Sequence, residues 1–468
     1  MYDLLLKGAH VVDPLNGVNG VNDVAVEGGK IAAVGPDLTG PAREVIDVSG
    51  WVLQPGIIDS HVHLGSMWGS PYGPRMLAMN GVTTCLDMAG PLDDILEKTP
   101  QYGAGLNTAI LQFASPPFTF KTNAPSKAEM VELIDKSLAE GALGVKLLGG
   151  HYPLTPEVSS TLIKTALERR AYVAWHAGTS AHGSNLEGMI EAVQMADGYP
   201  LHLAHINAYC RGAIKNEIDE ARTAIELLNA NPNIFSESYI SPKNGTRLTC
   251  GPDGKIQSQV TGNCLRHFGF TEDRDGVRKA LLAHKAFAVY DAGGYSDLMT
   301  GEDAVKLWES HNTDVGGSFN INPPIPRILL AQVKRPDGAF VVDAISTDGG
   351  CIPRNVILSQ GLSLVKLDVL TLAEFAQKTS LNPARMLRLT AKGHLSVGAD
   401  ADITIYDYAT QTPKMSFVEG RKVLFKGEVL GKNANIICTE RGQKAIEARG
   451  LKAIVVDPGL PVDRVKAL

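Results

Sequence analysis

The chain has 468 residues, 44% of them apolar and 20% charged, an ordinary soluble globular composition and longer than one core usually supports. Its 44 lysines and arginines stand against 50 acids, a net charge of -6 spread without long runs, which gives no reason to expect nucleic acid or a membrane surface as partner. Six cysteines (Cys85, Cys210, Cys250, Cys264, Cys351 and Cys438) without C-x-x-C spacing, an amino terminus lacking a basic and then apolar leader, and no run near the roughly 18 apolar residues of a membrane span fit a reduced, cytoplasmic protein.

Residues 1–54 read as short strands, Leu4 to Val12, Val24 to Glu27, Ile31 to Val34 and Val45 to Val48, punctuated by Asp13-Pro14 and Gly28-Gly29. From 55 to 390 apolar strands alternate with amphipathic helices, the pattern of a parallel sheet wrapped by helices. The strand candidates are Gly56–Asp59, Thr83–Met88, Thr108–Phe113, Gly144–Leu148, Tyr172–His176, Leu201–His205, Ile234–Tyr239 and Phe340–Asp348. That number closes a (β/α)₈ TIM barrel. Ser126-x-x-Glu129 and Thr371-x-x-Glu374 have the form of capping boxes, and Thr155-Pro156 sets an N-cap before a proline. Residues 240 to about 335 are too many for one helix and predict an insertion on the catalytic side, a lid or pocket wall whose rival is a surface subdomain. Residues 391–430 return to β texture, so a small β-sandwich domain built from both termini is expected, with 431–468 as a C-terminal tail.

Barrel enzymes carry their chemistry at the carboxyl ends of the strands. His61 and His63, one residue apart at the end of an apolar run, project from one side of an extended segment, as half of a transition-metal site would. Lys146 stands among apolar neighbours, where an ammonium is costly. His176, His205 and Asp348 close strands five, six and eight. Each has a bland alternative: a solvated lysine cap, satisfied core histidines, a turn aspartate before Gly349-Gly350. Their joint placement at strand ends makes coincidence a poor account. His202 is the rival of His205, and strand alternation points the two in opposite directions.

With Gly56-Ile57-Ile58-Asp59-Ser60-His61-Val62-His63, Gly81-Val82-Thr83-Thr84, Asn382-Pro383-Ala384 and Gly398-Ala399-Asp400-Ala401-Asp402-Ile403, the chain resembles the amidohydrolase superfamily, specifically its binuclear, carboxylated-lysine branch. The resemblance implies two divalent metal ions, zinc by expectation. It places His61, His63 and Asp348 on the more buried metal, His176 and His205 on the other, and a carbamate on Lys146 between them. It further implies hydrolysis of an amide C–N bond by a metal-bridging hydroxide, with Asp348 as the catalytic acid and base. Cys85, in place of a bridging lysine, lies within its strand rather than past the end. A mononuclear deaminase of the same fold typically carries glutamate where this chain has Thr179, and a non-catalytic scaffold would not keep the whole ligand set. Ser236-Glu237-Ser238-Tyr239 before a long insertion resembles the D-aminoacylase layout, and the lysine resembles hydantoinases and dihydroorotases, leaving N-acyl amino acid and cyclic amide both open. His151, His182, Arg211, Tyr239, Tyr290 and Arg354 are the candidate substrate contacts, the two arginines as readers of a substrate carboxylate. A homo-oligomer acting on a small-molecule amide is expected.

Overall fold

Ile57–His63, buried along its whole length, opens a parallel ring of strands in the computed structural model, which describes residues 1–462 and 464. The ring continues through Val82–Asp87, Ala104–Ala114, Gly144–Leu148, Tyr172–His176, Leu201–Leu203, Ile234–Tyr239 and Ala344–Ser346, each parallel to its predecessor. Strand eight is split. Ala344–Ser346 bonds to strand seven, and Gly349–Gly350 bonds to strand one in the register Gly349 to Val62 and Gly350 to His63, closing the ring. Gly350 is obligatory there: its φ is +77°, and a Cβ would sit 2.5 Å from the carbonyl oxygen of His63.

A helix follows each strand in turn: Gly73–Met79, Leu92–Tyr102, Lys127–Glu140, Pro156–Glu168, Leu186–Ala196, Glu217–Ala230, Pro324–Gln332 and Ile357–Lys366. The capping boxes at Ser126 and Thr371 form as the sequence predicts, and Thr155 accepts a bond from the Val158 amide ahead of Pro156. Outward-facing Val145, Leu147, Val173 and Trp175 pack on Ile134, Leu162 and Ala192 of the helix layer. Each large apolar side chain so buried stabilises the barrel by about 1.5–3 kcal/mol. Alternation along strand four therefore turns Lys146, between Val145 and Leu147, into the barrel.

The two ends of the chain share one nine-stranded sheet. Val52–Pro55 is its seam, parallel to Tyr2–Asp13 and antiparallel to Ile403–Asp407. Leu6, Val11, Val24, Leu53, Ile403 and Phe417 form the core of this unit, drawn from both termini.

Two expectations are corrected. The stretch expected as a C-terminal tail adds strands to the barrel: Asn433–Cys438 runs parallel to strand three, with Lys452–Val455 beside it. Strand four meets strand three only at Leu111–Ala114, so the first half of strand three presents a free edge that a further strand covers. The insertion also ends before 335, because Pro324–Gln332 packs on Glu217–Ala230 as a barrel helix. What remains is a folded subdomain. Thr246–Arg247, Gly316–Phe319, Ala286–Asp291 and Ser296–Met299 make an antiparallel sheet. Leu248, Leu265, Val277, Leu281, Trp308 and Phe319 are its own core.

Candidate metal centre

His61 and His63 leave strand one on the same side, as the period of two requires, and meet Asp348 at the break in strand eight. Asp348 has φ +53° and donates its amide to the His61 carbonyl at 2.9 Å, which turns its carboxylate toward both imidazoles. His63 Nε2 lies 2.8 Å and His61 Nε2 3.3 Å from Asp348 Oδ1. These three side chains offer ligand atoms within 4.8 Å of one another, a grouping able to hold a metal ion. Arg354 Nη2 takes Asp348 Oδ2 at 2.6 Å. Burial alone would raise the Asp348 pKa, but Arg354, His61 and His63 hold the carboxyl well below its ordinary range.

Facing this group, His176 Nδ1 and His205 Nε2 stand 3.0 Å apart. Gly150 makes room for His176, since a Cβ there would fall 1.9 Å from its Nε2. Strand six stops at Leu203, two residues earlier than expected, and His205 turns into the ring from a left-handed conformation with φ +38°. Burial lowers the pKa of His61 and His176 far below the usual histidine value and that of His205 to about 3. The imidazoles are neutral at pH 7, the form that binds metals. His202 faces elsewhere: its Nδ1 bonds the Tyr172 hydroxyl at 2.8 Å within the barrel core. Cys85 is likewise buried, its thiol pushed up by burial and 3.7 Å from the Thr108 hydroxyl.

Lys146 is 1% exposed, and its Nζ contacts the Met88 sulfur at 2.9 Å. Burial lowers its pKa to about 8, against the opposing pull of Glu237, Asp348 and Asp87. Glu237 is a residue the sequence reading passed over as chemistry. It is fully buried in strand seven and accepts from His61 Nδ1 at 2.6 Å and from the His205 amide at 2.7 Å. The available signal was a lone carboxylate inside Ile234-Phe235-Ser236-Glu237-Ser238-Tyr239, in phase with Tyr239.

The cluster floors a cavity of about 960 Å³. His151, His182, Arg211, Tyr239 and Arg354 all reach it, and Tyr290 does not. Tyr290 pairs with Asp297 in the hairpin of the inserted sheet, whose glycine turn does not line the cavity, while Arg247, Gln257 and Asn263 of the insertion line it. His182 is engaged by Glu191 at 3.1 Å, and Thr179 also bonds Glu191, at 2.7 Å. His151 rests edge-on to Trp68 and His176, and burial lowers its pKa to about 4. Arg354, 4% exposed, is spent on the Asp348 carboxylate, the Asp348 carbonyl at 2.6 Å and the Lys243 carbonyl at 3.1 Å, so a substrate carboxylate finds no free fork there. Arg211 differs. Its Nε bonds the Asn322 side-chain oxygen at 2.8 Å and its Nη2 the Tyr239 hydroxyl at 2.7 Å, with no carboxylate paired to the guanidinium among the described residues. Met67, Trp68 and Tyr152 form an apolar wall of the same cavity.

The donor set suits divalent cations: four imidazoles, a carboxylate and a buried lysine, with His63 Nδ1 and His205 Nδ1 buried and without a hydrogen-bond partner among the described residues. A family model described as the amidohydrolase family matches residues 363–430. A dihydroorotase of Geobacter metallireducens is 25% identical over 431 residues, covering 86% of this chain and 90% of its own. An allantoinase of Deinococcus radiodurans is 26% identical, covering 94% and 98%. Among solved structures, a D-aminoacylase studied for its binuclear metal centre superposes with a TM-score of 0.66 at 18% identity, over 93% of this chain and 99% of that one. No helix among the described residues is long and apolar enough to cross a membrane. Sequence kinship over nearly whole relatives and a shared barrel with its β domain lead to one conclusion: the chain belongs to the amidohydrolase superfamily and is a hydrolase of carbon–nitrogen bonds other than peptide bonds.

Proposed function

We propose that the chain hydrolyses an N-acyl amino acid, with two zinc ions held by His61, His63 and Asp348 on one side, His176 and His205 on the other, and a Lys146 carbamate between them. The carrying observation is Arg211, a guanidinium without a carboxylate partner among the described residues, in the cavity that the six donors floor. Divalent ions at such a site acidify water and polarise a carbonyl oxygen. The rest of the work falls to the chain. Arg211 takes the substrate carboxylate and fixes the amide over the donors. The wall of Met67, Trp68 and Tyr152 receives the acyl group and excludes water. Arg354 anchors Asp348 by Oδ2 and leaves Oδ1 on the histidine side, where it takes a proton from the attacking water and delivers it to the leaving nitrogen. A C–O bond forms, the C–N bond breaks, and a carboxylic acid and an amine result.

The six unpaired cysteines suit a reducing compartment, and we place the enzyme in the cytoplasm. Cyclic amides are the second reading, favoured by the dihydroorotase and allantoinase relatives. A cavity of about 960 Å³ at the upper end of ligand pockets favours the longer substrate. Turnover of a panel of N-acyl amino acids, hydantoins and dihydroorotate by zinc-loaded enzyme at neutral pH decides: the linear acids should be preferred at least about tenfold, a difference of about 1.4 kcal/mol in barrier. Preference for the rings would reverse the assignment.

The two strand-six histidines separate ligand from core. His205→Asn is expected to weaken zinc binding by more than the roughly 10–100-fold typical of an outer partner. His202→Asn should keep its zinc and lose about 1–3 kcal/mol of stability, because Tyr172 is left without its buried partner. Zinc content and thermal unfolding of both variants measure this, and zinc loss that follows His202 would remove His205 from the set.

A further inference from the structure

We propose that Glu237 is the positioning residue that fixes the tautomer of His61 and the orientation of His205, tying both halves of the donor set to one carboxylate. The proposal rests on the metal reading above. Glu237 is 0% exposed at the middle of strand seven and does not line the cavity, so it touches no substrate. Its Oε1 accepts from His61 Nδ1 at 2.6 Å and from the His205 amide at 2.7 Å, and its Oε2 accepts from the Ser346 hydroxyl. One side chain thereby bridges strand one, the turn after strand six and strand eight.

Both carboxyl oxygens act as acceptors, Oε1 from the His205 amide and Oε2 from the Ser346 hydroxyl, so the His61 proton is placed on Nδ1. The lone pair then lies on Nε2, the nitrogen 3.3 Å from Asp348 Oδ1. A carboxylate behind an imidazole raises its basicity and locks the ring, the arrangement that backs metal-ligating histidines. At His205 the same oxygen holds the amide of a residue at φ +38°, an uncommon conformation for any side chain but glycine. That hold aims His205 Nε2 at His176 Nδ1, 3.0 Å away. His151, Asp59 and Asp87 also lie near the donors, but none of them bonds two of these histidines: Asp59 binds Thr347 and the His61 amide, and Asp87 binds the amides of Leu64, Ala89 and Gly90.

The test compares metal-free parent and Glu237→Gln, titrated with zinc against a chromophoric chelator. Glutamine keeps the shape but removes the charge and sets an NH₂ among donors. Zinc affinity should fall about 10–100-fold. In parallel, nitrogen-15 histidine spectra of the zinc-loaded parent, with His61 assigned by its loss in His61→Asn, should place the proton on Nδ1. A structural role alone would not set that tautomer. Equal zinc affinity of parent and variant overturns the proposal, as does a His61 proton on Nε2. The parent spectrum decides even where the glutamine variant does not fold. A parent that takes up no zinc overturns the metal reading itself, which separates the two failures.

Discussion

Lys146→Ala will lose most of its bound metal, and kcat/KM will fall on the order of 10³-fold, a barrier increase of about 4 kcal/mol. A lysine 1% exposed, with a thioether as its near contact and a pKa lowered by burial to about 8, is poorly solvated as an ammonium and has free amine available near neutral pH. Amine and carbon dioxide give a carbamate and a proton, converting a poorly solvated cation into an anionic oxygen donor facing His61, His63, His176, His205 and Asp348. The alanine variant removes that donor yet buries no charge, so it should fold. Short carboxylates such as acetate or propionate should fill the vacated space and restore part of both metal content and rate. Carbon-13 bicarbonate should label a carbamate carbon in the parent and none in the variant. Full metal content and normal turnover in Lys146→Ala would end the carbamate proposal.

Arg211→Met will abolish the preference of the enzyme for an N-acyl amino acid over its carboxamide. In the parent that preference should be about 10–100-fold, corresponding to the 1.5–3 kcal/mol of a hydrogen bond to a charged group. Arg211 is held by Asn322 and Tyr239, neutral partners that orient the guanidinium without neutralising it. Arg354 supplies the contrast. Because it pairs with Asp348 and lies over the Tyr239 ring, 4.9 Å from its centroid, Arg354→Met should slow acid and carboxamide alike. Steady-state rates for both substrates in the three proteins resolve the two roles. Equal parent rates on acid and carboxamide would dispose of the clamp, and loss of preference in Arg354→Met alone would assign it to the wrong arginine.

Much of the molecule is legible from the chain because it is written in local periods. The eight strands and their helices follow from apolar runs alternating with amphipathic stretches, and the capping boxes at Ser126 and Thr371 are four-residue patterns that need nothing distant to form. His61 and His63 converge for the same reason, since two residues on one strand share a face whatever lies opposite. The sequence also exposed Lys146 as an anomaly, a charge where its neighbours are buried.

Other features depended on partners remote in the chain, and only the tertiary structure decided them. Asn433–Cys438 joins the barrel because strand three outreaches strand four, a mismatch invisible at residue 433. His205 reaches the cluster from a turn rather than from the strand end, held by Glu237 across 32 residues, so alternation along strand six could not have phased it. Arg354 and Arg211 each lie six residues past a donor and look alike in sequence; the acid beside one and the neutral partners beside the other separate them. Glu237 is the same lesson in one residue: alternation aims it inward with Phe235 and Tyr239, while the three groups it joins come from strand one, the turn after strand six and strand eight, brought together only when the ring closes. Periodicity sets which way a side chain points, and closure of the barrel sets what it meets.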